Sequence, residues 1–245
     1  MSPSGERVAV LLGARNLGGA ILDHLTERGW RGAAVARSDE TAAVVRERGA
    51  LGMAADASNP DSLAGALEKV RAELGPPSLI VNAVSASRPP DDGAGFGGGP
   101  IAEASLEGFR GWAAAVAEQA FVFLSTGVRA LRESGAGGTL VQVTGGSSRR
   151  AMPGRGLWSA GAQATRAMVH AAAQELREEE IHVALLIVDA TIDSPKTASY
   201  TSEQPRNALA DQQLIAEAVE YLANQRPRAY THELMVTPAG DRWVP

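Results

Sequence analysis

Short apolar runs alternate with longer helical stretches from one end of this chain to the other, and that alternation leaves few folds open to it. The runs read as strands at Val8 to Leu12, Gly32 to Ala36, Leu51 to Ala55, Leu79 to Asn82, Thr139 to Thr144, His182 to Val188 and Glu233 to Val236. Each is apolar almost throughout, which predicts strands covered by helices on both faces. Strands separated by helices in this order read as repeated βαβ units, hence an α/β fold with a doubly wound parallel β-sheet. At 245 residues with no break in composition, one domain spanning 1–245 accommodates them all.

Several element ends are set by local chemistry. Asn59 can cap a helix opened by Pro60, because a proline there gives up only an N–H that had no partner. Gly29 and Gly75 are placed to stop the helices before them. The run Glu178 to Glu180 falls at a helix end and reads as a solvated face. Residues 1–6 are expected to be disordered. The one long irregular segment, Ser85 to Pro100, is rich in Gly and Pro, and is either a loop over a site or a surface insertion.

Composition removes whole classes of chemistry. The chain has no cysteine, which excludes disulfides, cysteine-ligated zinc, iron–sulfur clusters and thiol catalysis together. Its histidines, His24, His170, His182 and His232, are scattered, and no metal site is expected. A net charge of −5 and a pI near 5.5 lack the basic footprint of a nucleic-acid binder. The longest apolar runs, such as Val183 to Val188, fall far short of the ~18–20 residues of a membrane-spanning helix. Residues 1–7 show no secretory signal, so a cytoplasmic protein is expected.

After Leu12 the chain runs Gly13-Ala14-Arg15-Asn16-Leu17-Gly18-Gly19 into an amphipathic helix expected over about Ala20 to Arg28. In a Rossmann-type sheet, a glycine turn at a helix N-terminus puts free N–H groups and the positive end of the helix dipole beside a pyrophosphate. The same turn can also serve only to pack helix on strand.

Later motifs narrow the choice. Asp56 and Ala57 follow the third strand, Leu79-Ile80-Val81-Asn82-Ala83 carries the fourth, Gly138 to Thr144 the fifth, and Ile192-Asp193-Ser194-Pro195 follows the sixth. In that order, from Val8 to the end, the chain resembles the short-chain dehydrogenase/reductase superfamily. The resemblance implies a nicotinamide dinucleotide bound by Gly13, Arg15, Asn16, Leu17, Gly18, Arg37, Ser38, Asp56, Ala57, Asn82, Ala83, Thr144 and Ile192, with Asp56 near the adenine.

The turn departs from the family's T-G-x-x-x-G-x-G. Aligned from Gly13 and Gly19, the middle glycine is Leu17; aligned from Leu17-Gly18, it is Asn16, the preferred reading because Asn tolerates left-handed backbone. The second strand ends Val35-Ala36-Arg37-Ser38, without the acidic residue by which NAD-preferring relatives grip the ribose. Arg37, helped by Arg15, can instead pair with a 2'-phosphate, which favours NADP(H) over NAD(H). Alternatively Arg37 lies over the next helix, its charge weakened by Asp39.

The family's catalytic pattern is Asn, Ser, Tyr and Lys, with the Lys four residues after the Tyr and the Ser thirteen before it. A phenol titrates near ~10 and serves as an acid at neutral pH only when a neighbouring cation lowers it. Here Leu157-Trp158-Ser159-Ala160-Gly161-Ala162 resembles that segment, with Trp158 at the Tyr position, Ala162 at the Lys position and Gly145 at the Ser position. The Asn position falls on Glu118 or Gln119. No Tyr precedes Tyr200 and the only lysines are Lys69 and Lys196, so no realignment restores the pattern. An indole N–H donates a hydrogen bond but does not titrate. Ser147 and Ser148 lie near the Ser position, where a capping role is the simpler reading.

Two functions remain. One is an NADP(H)-dependent oxidoreductase acting on an unknown small molecule by weak or non-standard chemistry, such as hydride addition to an iminium carbon, which leaves no oxyanion to protonate. The other is a catalytically silent dinucleotide sensor or partner subunit. Ala160, Ala164, Ala167 and Ala171 recur at helical spacing in the helix from Leu157 to Leu176, and either pack on their own sheet or admit a second copy in a homodimer or homotetramer.

Overall fold

The computed structural model describes residues 7–84, 95–135 and 137–240. Residues 1–6, expected to be disordered, and 85–94 of the Gly/Pro-rich segment lie outside them. Strands β1 (Val8–Leu12), β2 (Arg31–Ala36), β3 (Leu51–Ala54), β4 (Leu79–Asn82), β5 (Gly138–Gly145), β6 (Ile181–Val188) and β7 (Glu233–Val236) form one sheet in the order β3-β2-β1-β4-β5-β6-β7. Every neighbouring pair is parallel, as predicted.

Parallel neighbours cannot be joined by a tight turn, so each crossover carries helix. The helices are α1 (Leu17–Glu27), α2 (Asp39–Glu47), α3 (Pro60–Leu74), α4 (Leu106–Phe109), α5 (Ala115–Ser134), α6 (Gly156–Glu175), α7 (Ala198–Thr201) and α8 (Gln212–Ala223). A π-helical turn, Arg110–Ala114, joins α4 to α5. The continuous apolar runs follow from helices on both faces: Val8, Val10 and Leu12 enter one core with α3, α5 and α6, while Ala9 and Leu11 enter the other with α1 and α8. Side chains alternate across a strand, so both sets must be apolar. Burying each large aliphatic side chain contributes about 1.5–3 kcal/mol.

Asn59 caps α3 through a bond from the Ser62 N–H at 2.9 Å, with Pro60 as the first helical residue. One expectation changes. Helix α1 starts at Leu17 rather than near Ala20, because Gly18 and Gly19 belong to its first turn. The acidic run Glu178 to Glu180 is exposed, as expected; within it Arg132 grips Glu179 with two bonds of 2.6 Å, and Glu180, at φ 55°, turns the chain into β6.

Candidate functional site

The strand order reverses at β1, which has β2 on one side and β4 on the other. In an open α/β sheet the crevice at such a switch point, beyond the carboxyl ends of the strands, is where ligands bind. Gly13 and Asn16 stand there. Gly13 has φ +87°, and a Cβ on it would lie 3.2 Å from the Ala83 carbonyl and from Val84. Asn16 has φ 48° and ψ −118°, a positive φ uncommon for a residue other than glycine. A Cβ on Gly18 would fall 1.6 Å from the Gly13 carbonyl oxygen, so the turn closes only around glycine. The Ala83 N–H bonds the Leu12 carbonyl at 3.0 Å and fastens β4 to the same spot. The cradle fits a pyrophosphate: α1 presents its N-terminus, Leu17 is buried behind it, and Arg15 is exposed beside it.

At the far side, Arg37 is exposed at the end of β2. Asp39 pairs with Arg46 at 3.2 Å, so its carboxylate is engaged within α2. The Ser38 hydroxyl accepts the Thr41 N–H at 3.3 Å and caps α2. Asp56 Oδ1 accepts from the Ser58 hydroxyl at 2.6 Å and from the Ser58 N–H at 2.9 Å. Those two bonds hold its carboxyl below the usual range, and the Arg37 charge adds to the effect. Ala57 is buried in the core beneath.

The opposite flank, at the ends of β4, β5 and β6, gathers the residues that the sequence reading aligned with the family's catalytic pattern. Of the two candidates on α5, Glu118 faces solvent and Gln119 is buried. Gln119 Nε2 donates to Asn82 Oδ1 at 3.0 Å, and Asn82 Nδ2 donates to Gln142 Oε1 at 2.8 Å. This buried amide chain fixes the end of β4, since Asn82 Oδ1 also accepts the Val84 N–H. Thr144 and Gly145 end β5, and the space a side chain at 145 would take is open, its nearest heavy atom being the Val188 carbonyl at 3.8 Å. Ser148 donates to the Gly145 carbonyl at 2.9 Å, a turn-closing role, while Ser147 is buried beside it. The Ile192 carbonyl accepts the Thr197 hydroxyl at 2.6 Å.

Trp158 is half-buried near the N-terminus of α6, with its ring centroid 5.4 Å from Phe96 and 6.0 Å from Trp112. Its backbone N–H donates to the Gly97 carbonyl at 3.4 Å, so the described part of the Gly/Pro-rich segment lies over this position. Ala162 is fully buried. None of Gln119, Gly145, Trp158 and Ala162 can exchange a proton at neutral pH.

Sequence reasoning passed over Asp189, which follows β6 and is buried at 8 % exposure. Its Oδ1 accepts from Arg150 Nη2 at 3.3 Å. Its Oδ2 lies 3.2 Å from the same nitrogen, an ion-pair distance, but has no hydrogen-bond partner. The signal in the sequence was a lone acid closing an otherwise apolar strand, Ile187-Val188-Asp189. Among the described residues no cluster of His, Cys, Asp or Glu could hold a metal, and no helix is long and apolar enough to cross a membrane.

The family model for enoyl-(acyl carrier protein) reductase matches residues 13–240. An alcohol dehydrogenase from the archaeon Thermococcus sibiricus, solved with 5-hydroxy-NADP, is 23 % identical and superposes with a TM-score of 0.77, covering 98 % of this chain and 100 % of its own. A metagenomic short-chain oxidoreductase solved with NADP gives 23 %, 0.75, 98 % and 100 %. A variant actinorhodin polyketide ketoreductase solved with NADPH gives 20 %, 0.80, 99 % and 100 %. No curated protein sequence matches the chain.

Proposed function

Because the chain belongs to the short-chain dehydrogenase/reductase superfamily, in the family described as enoyl-(acyl carrier protein) reductase, we propose that it is an NADP(H)-dependent oxidoreductase on a small molecule, working without the family's usual proton-transfer residues. The observation that carries the cofactor reading is the glycine-only turn between β1 and α1, with Arg37 and no acid at the end of β2. Its first-turn N–H groups would hold the pyrophosphate, and Arg37 with Arg15 a 2'-phosphate. Asp56 would lie toward the adenine, and Asn82, Ala83, Thr144 and Ile192 toward the nicotinamide. A bound nicotinamide would give or take a hydride; the protein's part is to hold the substrate, exclude water and handle any proton. The three related structures, solved with NADP, NADPH or a derivative, support the choice of cofactor.

The test is direct titration with NADPH and NADH, in the wild type and in Arg37→Ala, followed by turnover of ketones, enones and imines. NADPH should bind more tightly, and Arg37→Ala should lose about ten- to a hundredfold, the worth of a charge-assisted contact of about 1.5–3 kcal/mol. A wild type that prefers NADH, or an unchanged variant, would overturn the assignment. The silent-subunit reading is favoured by the four catalytic positions, whose occupants cannot exchange a proton at neutral pH. Its mark would be tight NADPH binding with no turnover of any substrate class.

A further inference from the structure

Building on the oxidoreductase reading, we propose that Asp189 is the residue that accepts and returns the substrate's proton, in place of the missing phenol. Among the described residues it is the only buried carboxylate. A carboxylate withdrawn from water is costly unless paired. This one stands just beyond the C-terminal end of β6, on the edge of the sheet where an open α/β fold binds its ligand.

Arg150 Nη2 stands 3.3 Å from Oδ1, to which it donates, and 3.2 Å from Oδ2, and this ion pair fixes the side chain. Oδ2 is buried and accepts no hydrogen bond from Arg150 or any other group among the described residues, which leaves it an acceptor position for a substrate O–H. The surroundings are shaped to admit the carboxylate. A Cβ on Gly146 would lie 1.9 Å from Oδ1 and 2.2 Å from Cγ, so only glycine fits beneath it. The neighbouring Gly145 leaves open the space that a side chain there would take, its nearest heavy atom being the Val188 carbonyl at 3.8 Å. The turn Gly146–Ser148 packs against both β6 and α6, and so joins Asp189 to the helix that carries Trp158.

In alcohol oxidation the O–H bond breaks and its proton passes to Asp189 Oδ2, the carbinol C–H electron pair leaves as hydride to an oxidised nicotinamide, and the C=O bond forms. Carbonyl reduction reverses each movement, with Asp189 returning the proton.

The experiment titrates trifluoroethanol, an acidic alcohol that resists oxidation, by calorimetry into NADP+-saturated wild type, Asp189→Asn and Asp189→Ala. NADP+ affinity should be alike in all three, while trifluoroethanol affinity should fall about tenfold or more in Asp189→Ala, as expected for losing an O–H bond to a charged acceptor. With secondary alcohols as substrates, Asp189→Asn, which keeps the shape, should lose about 100-fold or more in kcat, and formate should restore turnover to Asp189→Ala. Wild-type turnover left intact by Asp189→Asn would overturn the proposal and leave the oxidoreductase reading standing. Unchanged trifluoroethanol binding in Asp189→Ala would do the same. A wild type that binds no NADP+, or that turns over nothing, would overturn both.

Discussion

At the residue scale, the structure separates glycines that are required from those that are only tolerated. Gly18 has no room for a methyl group, because an added Cβ would sit 1.6 Å from the Gly13 carbonyl oxygen, and backbone cannot swing aside as a flexible side chain would. Gly145 has ample room, its nearest neighbour being 3.8 Å away. Gly18→Ala should therefore open the β1–α1 turn, lowering the melting temperature and weakening NADPH binding by about tenfold or more, the loss of one or more backbone contacts to phosphate. Gly145→Ala should leave both unchanged. Thermal melts and NADPH titration of the two variants, side by side, check this; a Gly18→Ala protein with native affinity would mean that the turn does not carry the pyrophosphate.

At the scale of elements, the edge of the sheet formed by β6 and β7 is where acid should act first. His182 on β6 donates from Nε2 to the Thr231 carbonyl at 2.9 Å, stacks flat on Tyr230 at 4.3 Å, and meets His232 edge-on at 5.8 Å. The bond to a carbonyl requires the Nε2–H form. Burial holds the His182 pKa below its usual 6.5, and the neighbouring His232 adds to the depression. The unfolded chain then takes up a proton that the folded one refuses, so stability is lost as pH falls below about 6.5. Glu233 on β7 acts in a lower window. Burial pushes its pKa up, but bonds and charges from Arg166, His170 and Arg149 outweigh it and leave the carboxyl below its usual 4.5. The stability it contributes is present above that value and lost as pH falls through the lowered one. Melting curves from neutral pH to about pH 4 should show the first decline in the wild type and a smaller one in His182→Asn. An identical early decline in the variant would place its origin elsewhere.

At the scale of the whole molecule, the outward surface of α6 bears on assembly. Ala160, Ala167 and Ala171 are exposed and Ala164 partly so, while Leu157, Gly161, Ala162, Thr165, Val169 and Ala173 face inward. The small-residue face thus does not pack on its own sheet. Phe121, on the adjoining α5, is 58 % exposed. An exposed face of small residues admits close approach of a symmetry-related copy. We expect a homodimer or homotetramer at micromolar concentration in light scattering, and a shift toward monomer in Ala167→Arg; a wild-type monomer would refute this.

The sequence alone determined the architecture. Continuous apolar runs at regular intervals permit little except a parallel sheet covered on both faces, and each strand was located to within a residue or two because burial on both sides leaves no polar position to blur its ends. It also showed that no Tyr precedes Tyr200 and that the only lysines are Lys69 and Lys196, so a Tyr followed four residues later by a Lys occurs nowhere in it. Tertiary structure decided the rest. Only packing told Gln119 from Glu118, because one helix position faces the sheet and its neighbour faces solvent. Only the closeness of Gly13 to Gly18 showed why α1 begins early. Only burial distinguished Asp189 from the other acids among the described residues, because a carboxylate's surroundings are assembled from β5, β6 and the turn between Gly145 and Arg150, segments nearly forty residues apart in sequence that meet only when the sheet forms.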